Sequence, residues 1–159
     1  MSSGHWFRDL AAWRVIARGY LTWLGALMLA WEFAHARFYT LWREAEHGYI
    51  AFSILHCTIG DVLIGGFALA LSLTLLRQGA VGSWRWQPIA AVTVALGMAY
   101  TIFSEWMNLT VLRSWAYAES MPTISLGDAR IGLTPLLQWL LVPPVALYFA
   151  RLALPVRGA

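Results

Sequence analysis

Four long stretches of the chain carry few charged side chains. They run from about Val15 to Ala36, Tyr49 to Leu76, Pro88 to Leu112 and Leu133 to Leu154. Each supplies the roughly 20 mainly apolar residues that a helix needs to cross a bilayer. In hydrocarbon every backbone amide needs an internal partner, and a helix provides one. The ten-residue alternation of a membrane β-barrel is missing from the sequence. Pro88 and Pro135 sit where a first helical turn needs no amide donor, while Gly48 and residues 79–83 mark turns. Residues 1–13, with His5, Trp6, Phe7, Arg8 and Asp9, read as a short interfacial helix. Ala34-His35-Ala36 has the look of a signal cleavage site, but the expectation is an uncleaved span. The predicted fold class is therefore all-α: one transmembrane domain over residues 1–159, built as a four-helix bundle.

Composition strengthens this picture. The chain is 60% hydrophobic and 12% charged, about half the charge that covers a soluble domain. Lipid is the solvent such a surface suits. The net charge of +3 raises nucleic acid as a partner. The eleven basic residues, all arginine, lie scattered at the ends of apolar runs, which suits lipid headgroups instead. Arg8, Arg14, Arg18, Arg77, Arg85, Arg151 and Arg157 fall on one side, and Arg37, Arg43, Arg113 and Arg130 on the other. Seven against four puts both termini in the cytoplasm by the positive-inside rule. Tryptophans support the layering, with Trp6, Trp13, Trp84 and Trp86 at the inner interface and Trp31, Trp42, Trp106, Trp115 and Trp139 at or near the outer one. All-arginine basic usage is compatible with a GC-rich genome, and the expected location is a bacterial inner membrane. The single cysteine, Cys57, rules out an intrachain disulfide and a thiol-pair redox motif.

Ionisable residues inside spans are costly, and function is the default reading of them. Here they are Glu32, His35, His56, Asp61 and Glu105. Depths reckoned at about 1.5 Å per residue put Glu32, His56, Glu105 and Gln138 in one layer of the outer half, with Asp61 roughly 7 Å deeper. Thr101, Ser104, Glu105 and Asn108 share one helical face, which should point into the bundle. Ser53, Cys57, Asp61 and Gly65 form a ridge of small residues suited to close helix approach. His56 lies about 140° around that helix from Asp61, so both face inward only if the span is deeply buried. Pro143-Pro144 removes two amide donors and leaves the carbonyls of Trp139 and Leu140 without helical partners.

Three functions fit such a layer. The first is a metal-binding membrane enzyme or redox protein acting on an apolar or lipid-like substrate. Glu32-x-x-His35 follows the ligand spacing of carboxylate-bridged metal bundles, and Glu44-x-x-His47 repeats it outside. With His56, Asp61 and Glu105 the donors would suit iron or zinc. Copper(I) lacks its soft ligands, and a haem would need two histidines better matched in depth than His35 and His56. The second is metal-free acid–base chemistry of the lipid or isoprenoid isomerase type. Glu32, Glu105 and His56 would be catalytic, and Trp31, Trp106, Tyr100 and Trp139 would face a cationic intermediate. The third is a proton or ion pathway, or an accessory structural subunit of a membrane complex. Homo-oligomerisation or membership of a complex is compatible with all three. The loop from Arg113 to Gly132 is expected to be an ordinary interfacial loop, with a lid over the outer mouth as the alternative.

Overall fold

The computed structural model describes residues 5–127 and 129–154. It is predominantly helical. A 3-10 turn, Trp6–Arg8, leads into α1 (Leu10–Arg14). A π turn over Val15–Tyr20 carries the chain without a break into α2 (Leu21–His35). After a 3-10 turn at Ala36–Phe38 come the short α3 (Leu41–Glu44) and the long α4 (His47–Leu75). Helix α5 (Trp86–Trp106) ends in a second π turn, Met107–Val111, and α6 (Leu133–Leu152) closes the bundle. Three helical stretches, His47–Leu75, Trp86–Val111 and Leu133–Leu152, are long and apolar enough to cross a membrane. Their starts and ends agree closely with the expected spans.

The helix before them behaves differently from expectation at its start. Residues 5–13 do not form a separate interfacial helix. Asp9 caps α1 through the Ala11 amide at 2.9 Å, and its other carboxylate oxygen accepts from the Val81 amide at 2.9 Å. A carboxylate at a helix start satisfies an orphan amide and matches the helix dipole. The neighbouring Trp6 is buried and donates from Nε1 to the Thr74 hydroxyl at 3.2 Å. Entry to the first helix is thus pinned to the turn between α4 and α5. Arg157 lies outside the described residues.

Around the bundle, α2 packs between α4 and α6, and α5 packs between α4 and α6. Close approach is set by glycine. A side chain on Gly65 would come to 2.5 Å from Leu24, so α4 of the small-residue ridge does lie tight on α2. At Gly97 the space a Cβ would need is filled by the indole of Trp139. Trp139 is therefore a core residue, 2% exposed, turned into the bundle and not towards its outer surface. Helix α6 runs on through Pro143 and Pro144.

The connection from α5 to α6 is more structured than the expected loop. Thr123–Leu126 pairs antiparallel with Ala129–Gly132, and Gly127 takes the positive φ of +60° at the turn. The stretch just before it is sewn to the end of the first helix. The Thr40 amide donates to the Ala116 carbonyl at 3.0 Å, and the Ala118 amide to the Phe38 carbonyl at 2.9 Å.

Candidate functional site

The polar groups of the spans meet at the end of the bundle that carries this hairpin. Gln138 is the centre. One turn into α6, its side-chain nitrogen donates to Glu32 Oε1 of α2 at 3.0 Å and to Asp61 Oδ2 of α4 at 2.8 Å. The same nitrogen lies 3.1 Å from the Met28 sulfur. Two amide hydrogens thus serve three acceptors. Asp61 is accordingly part of the layer and not a separate group below it. From the other oxygen of Glu32, His35 Nε2 stands 3.2 Å away, one turn along the same helix. Among the described residues this is the one contact between a carboxylate and a basic side chain, an ion pair when the imidazole carries two protons. The Nδ1 atom of His35 is buried and has no hydrogen-bond partner.

Glu105 of α5 forms the second half. Its carboxylate accepts from two phenols: Tyr39 at 3.4 Å, and Tyr117 in a short contact. The direction of the second bond is unambiguous. The Gly132 amide donates to the Tyr117 oxygen at 2.8 Å, so the one proton of that phenol points to Glu105. Burial, reinforced by Glu105, holds both phenols well above the usual tyrosine range. The halves join where the His35 ring meets the Tyr39 ring edge-on, with centroids 5.5 Å apart. Glu32, His35, Glu105 and Gln138 are all buried. Cys57, half-buried on the Asp61 ridge, lies in the electrostatic reach of Glu32, Asp61 and Glu105.

Of the expected residues, Glu32, His35, Asp61 and Glu105 come together, and Thr101 of the α5 stripe is buried with them. His56 does not join. It is exposed on the outer face of α4, stacked on Phe52 at 5.7 Å, among Leu55, Ile59 and Leu63. With Asp61 turned inward, a position about 140° away on the same helix must face out. Tyr100 and Trp106 are also exposed. Glu44 and His47 line different surface pockets. Two contributors went unnamed in the sequence, the phenols of Tyr39 and Tyr117 as partners of Glu105, because both come from connections whose paths only the fold defines.

Among the described residues, no three His, Cys, Asp or Glu side chains converge in a way that can hold a metal ion. The donor set explains this. Between Glu32 and Asp61 stands an amide N–H, a hydrogen-bond donor where a metal would need an acceptor. Glu105 is taken up by two phenols.

Below the layer the bundle is closed by Tyr20, Leu24, Met28, Leu69 and Leu73, each fully buried. Above it, a polar pocket of about 520 Å³ is lined by Thr40, Arg43, Glu44, Tyr117, Ala118, Glu119 and Ser120. Set against protein families, curated proteins and solved structures, the chain matches none of them.

Proposed function

We propose that the chain is a four-span protein of a bacterial inner membrane, with both termini on the cytoplasmic side. In this reading its buried layer is a metal-free acid–base site acting on a lipid-like molecule. The reaction class is transfer of a proton from one position of an apolar substrate to another. The first helical run, Leu10–His35, is about 39 Å long at 1.5 Å per residue, enough to cross. Its Arg14 and Arg18 are exposed near the start, at headgroup depth. Glu32 and Asp61 share one amide, so a proton held by either leaves an acid beside a base.

The observation that carries the reading is His35. One ring nitrogen is fixed by Glu32 while the other is buried without a partner. A buried polar atom left unpaired costs roughly 1–3 kcal/mol, and a native orphan of this kind calls for a reason. Trp31 Nε1 and Trp115 Nε1 are buried without partners as well. Of the three nitrogens only that of the imidazole can take up and release a proton, and exchange with a guest supplies the reason. The test is to incubate membranes containing the protein in heavy water and follow deuterium in the extracted lipids by mass spectrometry. Wild type should place deuterium in a particular lipid-soluble species, and Glu105→Gln and His35→Ala should not. Identical deuterium patterns with and without the protein would overturn the proposal.

A second reading has its own support. Gln138 ties three helices at one level, which is what a register-fixing polar network does. The chain would then be an accessory subunit, and Gln138→Leu would disturb assembly while Glu105→Gln left cells unaffected.

A further inference from the structure

We infer that Tyr117 is the port through which Glu105, in the buried carboxyl layer, exchanges protons with the membrane face bearing residues 113–132, and that the opposite face is closed to it. The inference rests on the acid–base reading above and adds sidedness to it. Three observations combine. Tyr117 is the residue common to the polar pocket and the layer: it lines the former and donates to Glu105 in the latter. Its hydroxyl cannot turn freely, since the Gly132 amide holds the oxygen and directs the proton to Glu105. On the far side, Tyr20, Leu24, Met28 and Leu69 are fully buried, and α4 presses against Leu24 at Gly65. Tyr20 there donates at 3.3 Å to the Gly65 carbonyl, an acceptor with no proton to pass on.

The transfer balances without a free phenolate. Tyr117 gives its O–H proton to the Glu105 carboxylate as the same oxygen takes a proton from pocket water, leaving hydroxide or a deprotonated buffer behind. Concerted passage is required because burial beside Glu105 keeps the phenol from ionising alone. The titratable groups that face Glu105 across the layer are Glu32 and His35 of α2, Tyr39 after it, Asp61 and Cys57 of α4, and Tyr117, while α6 brings only the amide of Gln138. The bonded path ends at Glu105: Tyr39 meets His35 only edge-on, with no hydrogen bond between them, so Glu32 and Asp61 lie beyond a gap in the chain of donors and acceptors.

The test uses the full chain in vesicles, with its orientation read by protease digestion of exposed loops. The inside and outside are buffered separately, one at pH 5 and the other at pH 8. Dicyclohexylcarbodiimide, which dissolves in lipid and attacks protonated carboxyls, is added, and labelled residues are mapped by mass spectrometry. Labelling of Glu105 should be several-fold greater when the hairpin face is the acidic one. In Tyr117→Phe that ratio should fall towards one, and a tyrosine restored at 117 should bring it back. Equal labelling under both gradients, or labelling that follows the opposite face, overturns the port while leaving the acid–base site in place. No labelling under either gradient overturns both, because carboxyls locked in closed pairs perform no acid–base work.

Discussion

The two ends of the bundle are built from the same helices by opposite means. Near the chain's N-terminal side, contact is made by shape. Leu24, Leu69, Leu73, Ile89, Ala146 and Ala150 are fully buried, and Gly19 lies against Ala150. Between the long helices the polar groups are small, the larger ones of that end, Asp9, Trp6 and Gln78, tying the entry turn and the α4–α5 connection. The Thr93 and Ser72 hydroxyls, 3.0 Å apart, also bond carbonyls of their own helices. At the other end, contact is made by hydrogen bonds among Glu32, His35, Asp61, Gln138 and Glu105. Helices in lipid gain little from the hydrophobic effect, so either device serves: close van der Waals fit or polar ties. Within the bundle, between the long helices, only the second leaves groups able to exchange a proton.

Substitutions can break this contrast. The largest effect is expected where shape matters most. Gly97→Ala drives a methyl into the Trp139 ring, whose buried position leaves it nowhere to go, and should cost about 3 kcal/mol or more by thermal unfolding in detergent. A near-neutral result would mean that α5 and α6 are not in tight contact. Next is Gln138→Leu, which keeps volume but strips Glu32 and Asp61 of their shared donor. A loss of about 2 kcal/mol is expected, and a gain in stability would show that the polar ties cost more to bury than they return. Thr93→Val at the apolar end should cost only about 1 kcal/mol, since each hydroxyl there has a local carbonyl as well.

The smallest effect is with pH. Tyr39 and Tyr117 have raised values in the folded protein, so above the ordinary tyrosine value of about 10 the unfolded chain sheds protons that the folded one keeps. Folding stability is therefore complete below that pH and declines as pH rises beyond it. The double variant Tyr39→Phe, Tyr117→Phe should flatten the decline in an alkaline series of melting curves. An unchanged slope would remove the two phenols as its source.

Much of this could be read from the residues alone. Long apolar runs located the three membrane-length helices within a few positions, and the spacing of Thr101 and Glu105 put both on the buried face. The Glu32–His35 spacing likewise gave a true contact. His56 was harder. Its helix carries polar groups on two faces, and which one turns inward depends on the fit of Gly65 to Leu24, a property of the partner helix. The burial of Trp139 had no signal of its own, because interfacial enrichment describes tryptophans in general, whereas Gly97 opens a slot for this one. The hairpin had a signal in Ile124-Ser125-Leu126-Gly127, alternation followed by a turn residue. Its role did not, since Tyr117 gains meaning only once residues 113–122 fold back over α5.

The shared amide of Gln138 has one more consequence. With two hydrogens among three acceptors, Gln138 cannot fully serve the Met28 sulfur, Glu32 Oε1 and Asp61 Oδ2 at once, although Glu32 keeps His35 on its other oxygen. Relocating the shortfall asks only for a small swing of a single side chain, with no helix displaced. A visiting water or hydroxyl would find a place already waiting, and the bundle would relax on receiving it.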